Sequence, residues 1–175
     1  MATFDGEQIQ KIARGEIQTA QILDINPDQM AAVLLAGHLF YENGKFSEAQ
    51  KIFEGLLILD TRNPFVHAML GSIYQKQDQF ELAFQHYSRA IQSFPKDIGS
   101  LVNRGEIFLR FGKFKEAAAD FKAAVDLDPE QKNPFANRAR LLSQLAQESL
   151  QVARDKGLQA SLDAQNQLKD NLRTK

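Results

Sequence analysis

Val33-Leu34-Leu35-Ala36-Gly37-His38-Leu39-Phe40 is the stretch that decides the architecture, because its pattern returns twice. Gly71 and Gly105 repeat Gly37 at a spacing of 34 residues, and an aromatic follows each glycine three positions on: Phe40, Tyr74 and Phe108. A second aromatic stands nine residues after each glycine, at Phe46, Phe80 and Phe114. Alanine follows at Ala49, Ala83 and Ala117, and then a third aromatic at Phe53, Tyr87 and Phe121. An internal repeat of this length dictates the architecture before any local propensity is weighed.

Glycine in one helix and alanine in the next let two backbones approach closely, while aromatics at fixed helical offsets fill the space around that contact. One such helix pair cannot bury its apolar face alone, so copies must stack. Period and residues together resemble the tetratricopeptide repeat (TPR). The resemblance implies an all-α fold, a TPR superhelix of three helix-turn-helix repeats over 30–63, 64–97 and 98–131. A leader helix at 7–25 and a capping helix at 133–153 flank them, with a polar tail at 155–175, all in a single domain. Two family positions are weak. The first aromatic place holds Val33, His67 and Leu101, and the repeat-end proline is Pro95 and Pro129 but Thr61 in the first copy.

The segment boundaries are marked independently. Asn26-Pro27-Asp28, Asn63-Pro64 and Asn133-Pro134 each pair a capping residue with proline in the first turn, and Asp97 caps a variant. Helices are therefore expected to begin near 27, 64, 98 and 134. Gly44 and Gly112 stand where a helix must end left-handed, and Asp78 fills the same slot in the second repeat. Before the repeats, Ile9, Ile12, Ala13, Ile17 and Ala20 lie near helical spacing, interrupted by Gly15. After Asp128-Pro129 the repeat register is lost. Phe135, Leu141, Leu142, Leu145 and Leu150 then form the apolar side of one terminal helix. From Asp155 the chain turns polar.

Composition excludes several classes of function. With 21 basic and 22 acidic residues the net charge is −1, which gives no bulk attraction to nucleic acid or an anionic membrane. There is no cysteine, hence no disulfide, thiolate nucleophile or zinc–thiolate site. Met1 to Gly6 carries neither the basic flank nor the apolar core of a secretory signal. No run approaches the roughly 18 apolar residues of a membrane-spanning helix. The default address is the cytoplasm.

No constellation of nucleophile, base and oxyanion donors is visible, so no catalytic residue, metal or cofactor is expected. His38, His67 and His86 are scattered, and none pairs with another histidine or with glutamate at a metalloprotease spacing. His67 reads as a partly buried structural ring in a core aromatic's place. Gly44-Lys45 and Gly112-Lys113 lack the earlier glycine and the following hydroxyl of a phosphate loop. Asp126-Leu127-Asp128-Pro129 lacks the glycine and closing glutamate of a calcium loop.

In TPR proteins the first helix of each pair lines a concave groove. Carried onto this chain, the groove positions are Ala31, Leu34, His38 and Tyr41, then Phe65, Ala68, Ser72 and Gln75, then Gly99, Val102, Glu106 and Leu109. Small residues beside larger apolar ones suit an extended or helical peptide with a few hydrophobic anchors. The lysine, asparagine and arginine clamp of TPRs that grip acidic chaperone C-termini is replaced by Leu34, His38, Ser72, Gly99 and Asn103. A terminal carboxylate would find few donors there.

Further detail narrows the resemblance. A leader containing Ile12-Ala13-Arg14-Gly15 runs into Ile22-Leu23-Asp24-Ile25. The first repeat then reads Phe40-Tyr41-Glu42-Asn43-Gly44-Lys45-Phe46-Ser47-Glu48-Ala49, followed by Phe53-Glu54-Gly55-Leu56-Leu57-Ile58-Leu59-Asp60. Over about residues 10–131 the chain resembles the class II type III secretion chaperones, which hold hydrophobic translocator subunits. That resemblance implies a cytoplasmic, non-enzymatic holdase that binds an extended client segment at Leu34, His38, Tyr41, Phe65, Ala68, Ser72, Val102 and Glu106. It also implies dimerisation through Ile9, Ile12, Ala13, Ile17 and Ala20, and a bacterial source. A generic TPR adaptor that joins other proteins is the competing expectation. Neither reading calls for nucleic acid or membrane insertion.

Overall fold

The computed structural model describes residues 27–173, with side chains described from 28 to 157. The leader expected at 7–25, with its proposed interface residues, lies outside the described residues. Among the described residues all regular structure is helical. The elements are α1 (Pro27–Glu42), α2 (Phe46–Leu59), α3 (Pro64–Lys76), α4 (Phe80–Ser93), α5 (Ile98–Arg110), α6 (Phe114–Asp126) and α7 (Pro134–Arg173). Helices begin at 27, 64, 98 and 134, where the sequence places its start signals, and the aromatics Phe46, Phe80 and Phe114 open α2, α4 and α6.

The three copies are alike at the level of atoms. A Cβ added to Gly37 would lie 2.9 Å from Phe53 Cζ; at Gly71 it would lie 2.7 Å from Tyr87 Cδ1, and at Gly105 2.6 Å from Phe121 Cε1. Each glycine is thus the point where one hairpin's helices touch, and the aromatic sixteen residues later is the surface that it touches. Ala49, Ala83 and Ala117 are completely buried, as are Phe53 and Phe121, with Tyr87 nearly so.

The turns repeat too. Lys45 N–H donates to the Phe40 carbonyl, Gln79 N–H to that of Tyr74 and Lys113 N–H to that of Phe108, each at 2.9 Å. With the inner bond from the preceding residue, this is a Schellman closure, which needs a left-handed residue. Gly44 (φ 72°), Asp78 (φ 59°) and Gly112 (φ 70°) supply it. The lysines after the two glycines lie over aromatic rings, Lys45 over Phe40 at 5.7 Å and Lys113 over Phe108 at 5.9 Å, so they serve the turn.

The chain packs as two compact units, Met1–Arg104 and Gly105–Lys175, with the boundary inside α5. A stacked repeat contacts only its neighbours, so no single core ties all copies together. The capping helix expected at 133–153 and the polar segment after it form one element, α7, which runs unbroken from Pro134 to Arg173. Past Pro134 it contains no proline and a single glycine, Gly157, and it is rich in Leu, Gln and Ala, all favourable helix formers, which carry the helix through.

In the first unit α1 packs on α2, α2 on α3 and α3 on α4. In the second unit α6 packs on α7 through completely buried Ala124, Ala136, Ala139 and Ala146. The α6–α7 connection is organised by Asp128. Its carboxylate accepts from Lys132 N–H at 3.1 Å, Asn133 N–H at 3.2 Å and Arg140 Nη1 at 3.3 Å. Burial pushes this carboxyl up, but the two amides and Arg140 outweigh it and hold it below the usual range.

Candidate functional site

The first unit carries most of the residues expected to meet a client, on α1, α3 and the start of α5. Asn63 caps α3 by accepting from Val66 N–H at 3.1 Å, and Pro64 fixes the first turn. That start sets Phe65, Ala68 and Ser72 at near-helical spacing. Phe65 leaves 46% of its surface exposed, with its ring edge-on to Phe53 at 6.3 Å. Leu34 and Ala68 are partly covered.

Ser72 links several of these groups. Its hydroxyl donates to the Ala68 carbonyl at 3.1 Å and bonds the Tyr41 hydroxyl. Burial, then the neighbouring Glu42 charge, raises Tyr41 above the ordinary phenol value, against the opposing Ser72 bond. Tyr87 Oη lies 3.2 Å from Ser72 Oγ, donates to Gln75 Oε1 at 2.8 Å and accepts from Asn103 Nδ2 at 3.1 Å. The Tyr87 ring is the surface met by Gly71, so its hydroxyl reaches through the hairpin contact to join α3 with α5. Sequence reading placed Tyr87 in the core but gave no sign of this polar end.

His38 is half exposed, with Nε2 3.9 Å from the Glu42 carboxylate. Its Nδ1 is buried without a hydrogen-bond partner. Two expected contact residues are placed otherwise. Val102 is 0% exposed, packed into the core where no partner reaches it. Glu106 falls in the second unit and forms an ion pair with Arg138 Nε at 2.9 Å. The single sequence could not separate a groove position from a packed one on α5, because both recur at the same helical spacing.

The structure also brings together two histidines that the sequence left apart. His67 and His86 face each other with Nδ1 atoms 3.1 Å apart, and His67 is 2% exposed. They meet across the same α3–α4 contact in which Gly71 touches Tyr87, with ring centroids 5.2 Å apart. Among the described residues no group of three or more His, Asp or Glu is arranged to hold a metal ion. None of their helices is long and apolar enough to cross a membrane.

Fold and site together define a helical-hairpin repeat protein whose first helices present mixed apolar and neutral hydrogen-bonding side chains. The family model described as "Tetratricopeptide repeat" matches residues 34–98, 68–132 and 102–167, and the chain belongs to that family. The last match runs well past Pro129, where the repeat register ceases to be legible by eye.

Among curated proteins, the chain is 38% identical over 74 residues to Hsp70-Hsp90 organizing protein 1 of Arabidopsis thaliana, covering 42% of this chain but only 13% of that protein. Among solved structures, a T3SS complex from Aeromonas hydrophila matches with a TM-score of 0.76 at 23% identity, covering 84% of this chain and 99% of that one. The Yersinia enterocolitica type III secretion translocator chaperone SycD matches at 0.65 and 23% identity, over 73% and 97% of the two chains. PcrH, known from Pseudomonas aeruginosa and seen in complex with the chaperone binding region of PopD, matches at 0.65 and 25% identity, over 71% and 95%.

Proposed function

We propose that this protein is a non-enzymatic, cytoplasmic chaperone that keeps a hydrophobic type III secretion translocator soluble by holding an extended segment of it against the first helices of its repeats. The observation that carries the reading is the likeness to PcrH bound to the chaperone binding region of PopD, over 95% of that chain. The first unit is chemically suited to the task. Leu34, Phe65 and Ala68 supply apolar contact, and Tyr41, Ser72, Gln75 and Asn103 supply neutral partners for a client backbone. His38 stands beside them. Val102 supports the wall from within.

The mechanism is mass action: bound chaperone covers apolar surface that otherwise drives self-association. Homodimerisation through Ile9, Ile12, Ala13, Ile17 and Ala20 is part of the same proposal. The runner-up, a TPR adaptor for another assembly, draws support from the likeness to the Hsp70-Hsp90 organizing protein. The absence of a cationic clamp at Leu34, His38, Ser72, Gly99 and Asn103 weighs against carboxylate-tail recognition.

The test is co-expression with a hydrophobic translocator. The wild-type protein is expected to yield a soluble complex, and Leu34→Glu or Phe65→Glu an aggregated client with the chaperone still folded by circular dichroism. Undiminished client solubility with both variants would remove the site assignment.

A further inference from the structure

The facing histidines of the second repeat have a forced arrangement of protons. His67 Nε2 lies 3.1 Å from the Thr61 carbonyl oxygen, which can only accept, so Nε2 carries a hydrogen. Neutral His67 therefore presents a bare Nδ1. It meets His86 Nδ1 at 3.1 Å, so His86 must donate from that atom. The one unshared basic nitrogen of the couple is His86 Nε2. A first added proton goes there and leaves the bond between the rings intact. A second places hydrogen on both facing nitrogens, which removes the bond and sets two like charges side by side.

The charged and titratable neighbours are few. Arg89, on α4, disfavours charge on both rings. Asp60, in the turn before α3, favours it on His67, and Glu54, on α2, favours it on His86. The Tyr74 ring stands 5.3 Å from the His86 ring, and its hydroxyl donates to Glu54 at 2.9 Å. An open cavity of about 640 Å³, lined by Thr61, Arg62, Pro64, His67 and Arg89 among others, reaches the His67 side of the couple. The places of His67 and His86 hold Val33 and Ile52 in the first repeat and Leu101 and Asp120 in the third, so the ionisable pair belongs to the second repeat alone.

We propose that the His67–His86 couple is a proton-sensitive latch, which clamps α3 against α4 most tightly when uncharged, loses grip as a first proton puts charge on a buried ring, and parts when a second removes the bond between the rings. Because α3 also carries Phe65, Ala68 and Ser72, release would loosen the proposed client wall, a consequence that rests on the functional reading above.

Burial is the largest influence on both rings and pushes them below the ordinary histidine value, His86 to about 4. The unfolded chain takes up these protons near pH 6.5. The latch is therefore fully effective above about pH 6.5, and its contribution is lost as pH falls from there toward about 4. For His86 alone, passing from pH 7.5 to pH 5.0 lowers the folding equilibrium constant about 30-fold.

The test is urea unfolding at pH 7.5 and 5.0 of the wild-type chain and of the double variant His67→Val with His86→Ile, which installs the first repeat's residues. His38 and every carboxylate are common to both. The variant is expected to escape about 30-fold of the acid loss, whereas equal losses in the two proteins overturn the proposal. A histidine ring titration by NMR on the wild-type protein gives a second reading. A His86 midpoint below about 5 supports the latch, and one near 6.5 overturns it. Neither measurement uses a client, so failure here leaves the client-binding reading standing.

Discussion

Tyr87 shows how much of this protein's economy rests on single residues. Its ring meets Gly71, and its hydroxyl is shared among Ser72, Gln75 and Asn103. Tyr87→Phe keeps the ring but removes the hydroxyl that the half-buried Gln75 and Asn103 amides share. It is expected to cost about 1–3 kcal/mol in urea unfolding. Gly71→Ala tests the other half of the contact. Alanine is worth about 1 kcal/mol more than glycine inside a helix. A Cβ 2.7 Å from Tyr87 nevertheless forces the two helices apart, and overpacking of this kind costs roughly 1–3 kcal/mol. A net loss of stability is therefore expected, and the same substitution at exposed Gly55, with nothing within 4 Å of the added Cβ, should stabilise. The glycines, alanines and aromatics were legible in the sequence because one spacing binds them. The inward turn of Val102 and the meeting of His67 with His86 were not, since each depends on how helices cross.

At the scale of the element, the sequence was informative wherever backbone geometry demands a particular residue. Asn63 and Asn133 cap as their following prolines announce, with Asn133 accepting from Phe135 N–H at 2.9 Å. The left-handed slot is filled by glycine twice and by Asp78 once. A side chain at this conformation costs roughly 1–2 kcal/mol, less for aspartate than for most residues. Gly112→Ala is thus expected to lower the thermal midpoint, and Asp78→Gly to leave it unchanged or raise it slightly. The reach of α7 was the weakest point of the reading. Its polar second half carries no repeat pattern, and a helix persists there for want of a proline.

At the scale of the whole molecule, the two units follow from repetition itself, since stacked hairpins exchange contacts only with neighbours. The oligomeric state is tested at this level. If the leader is the interface, Ile12→Asp with Ile17→Asp shifts the mass found by light scattering from dimer to monomer, and an unchanged mass removes the leader from that role. The central claim is that the first helices hold another polypeptide. Hydrogen–deuterium exchange on the protein alone and on its complex with a co-expressed hydrophobic translocator tests it most directly. Added protection is predicted in α1 and α3, around Leu34, Tyr41, Phe65 and Ser72, with α2 and α4 little changed. Protection confined to the second helices, or none at all, would contradict the account.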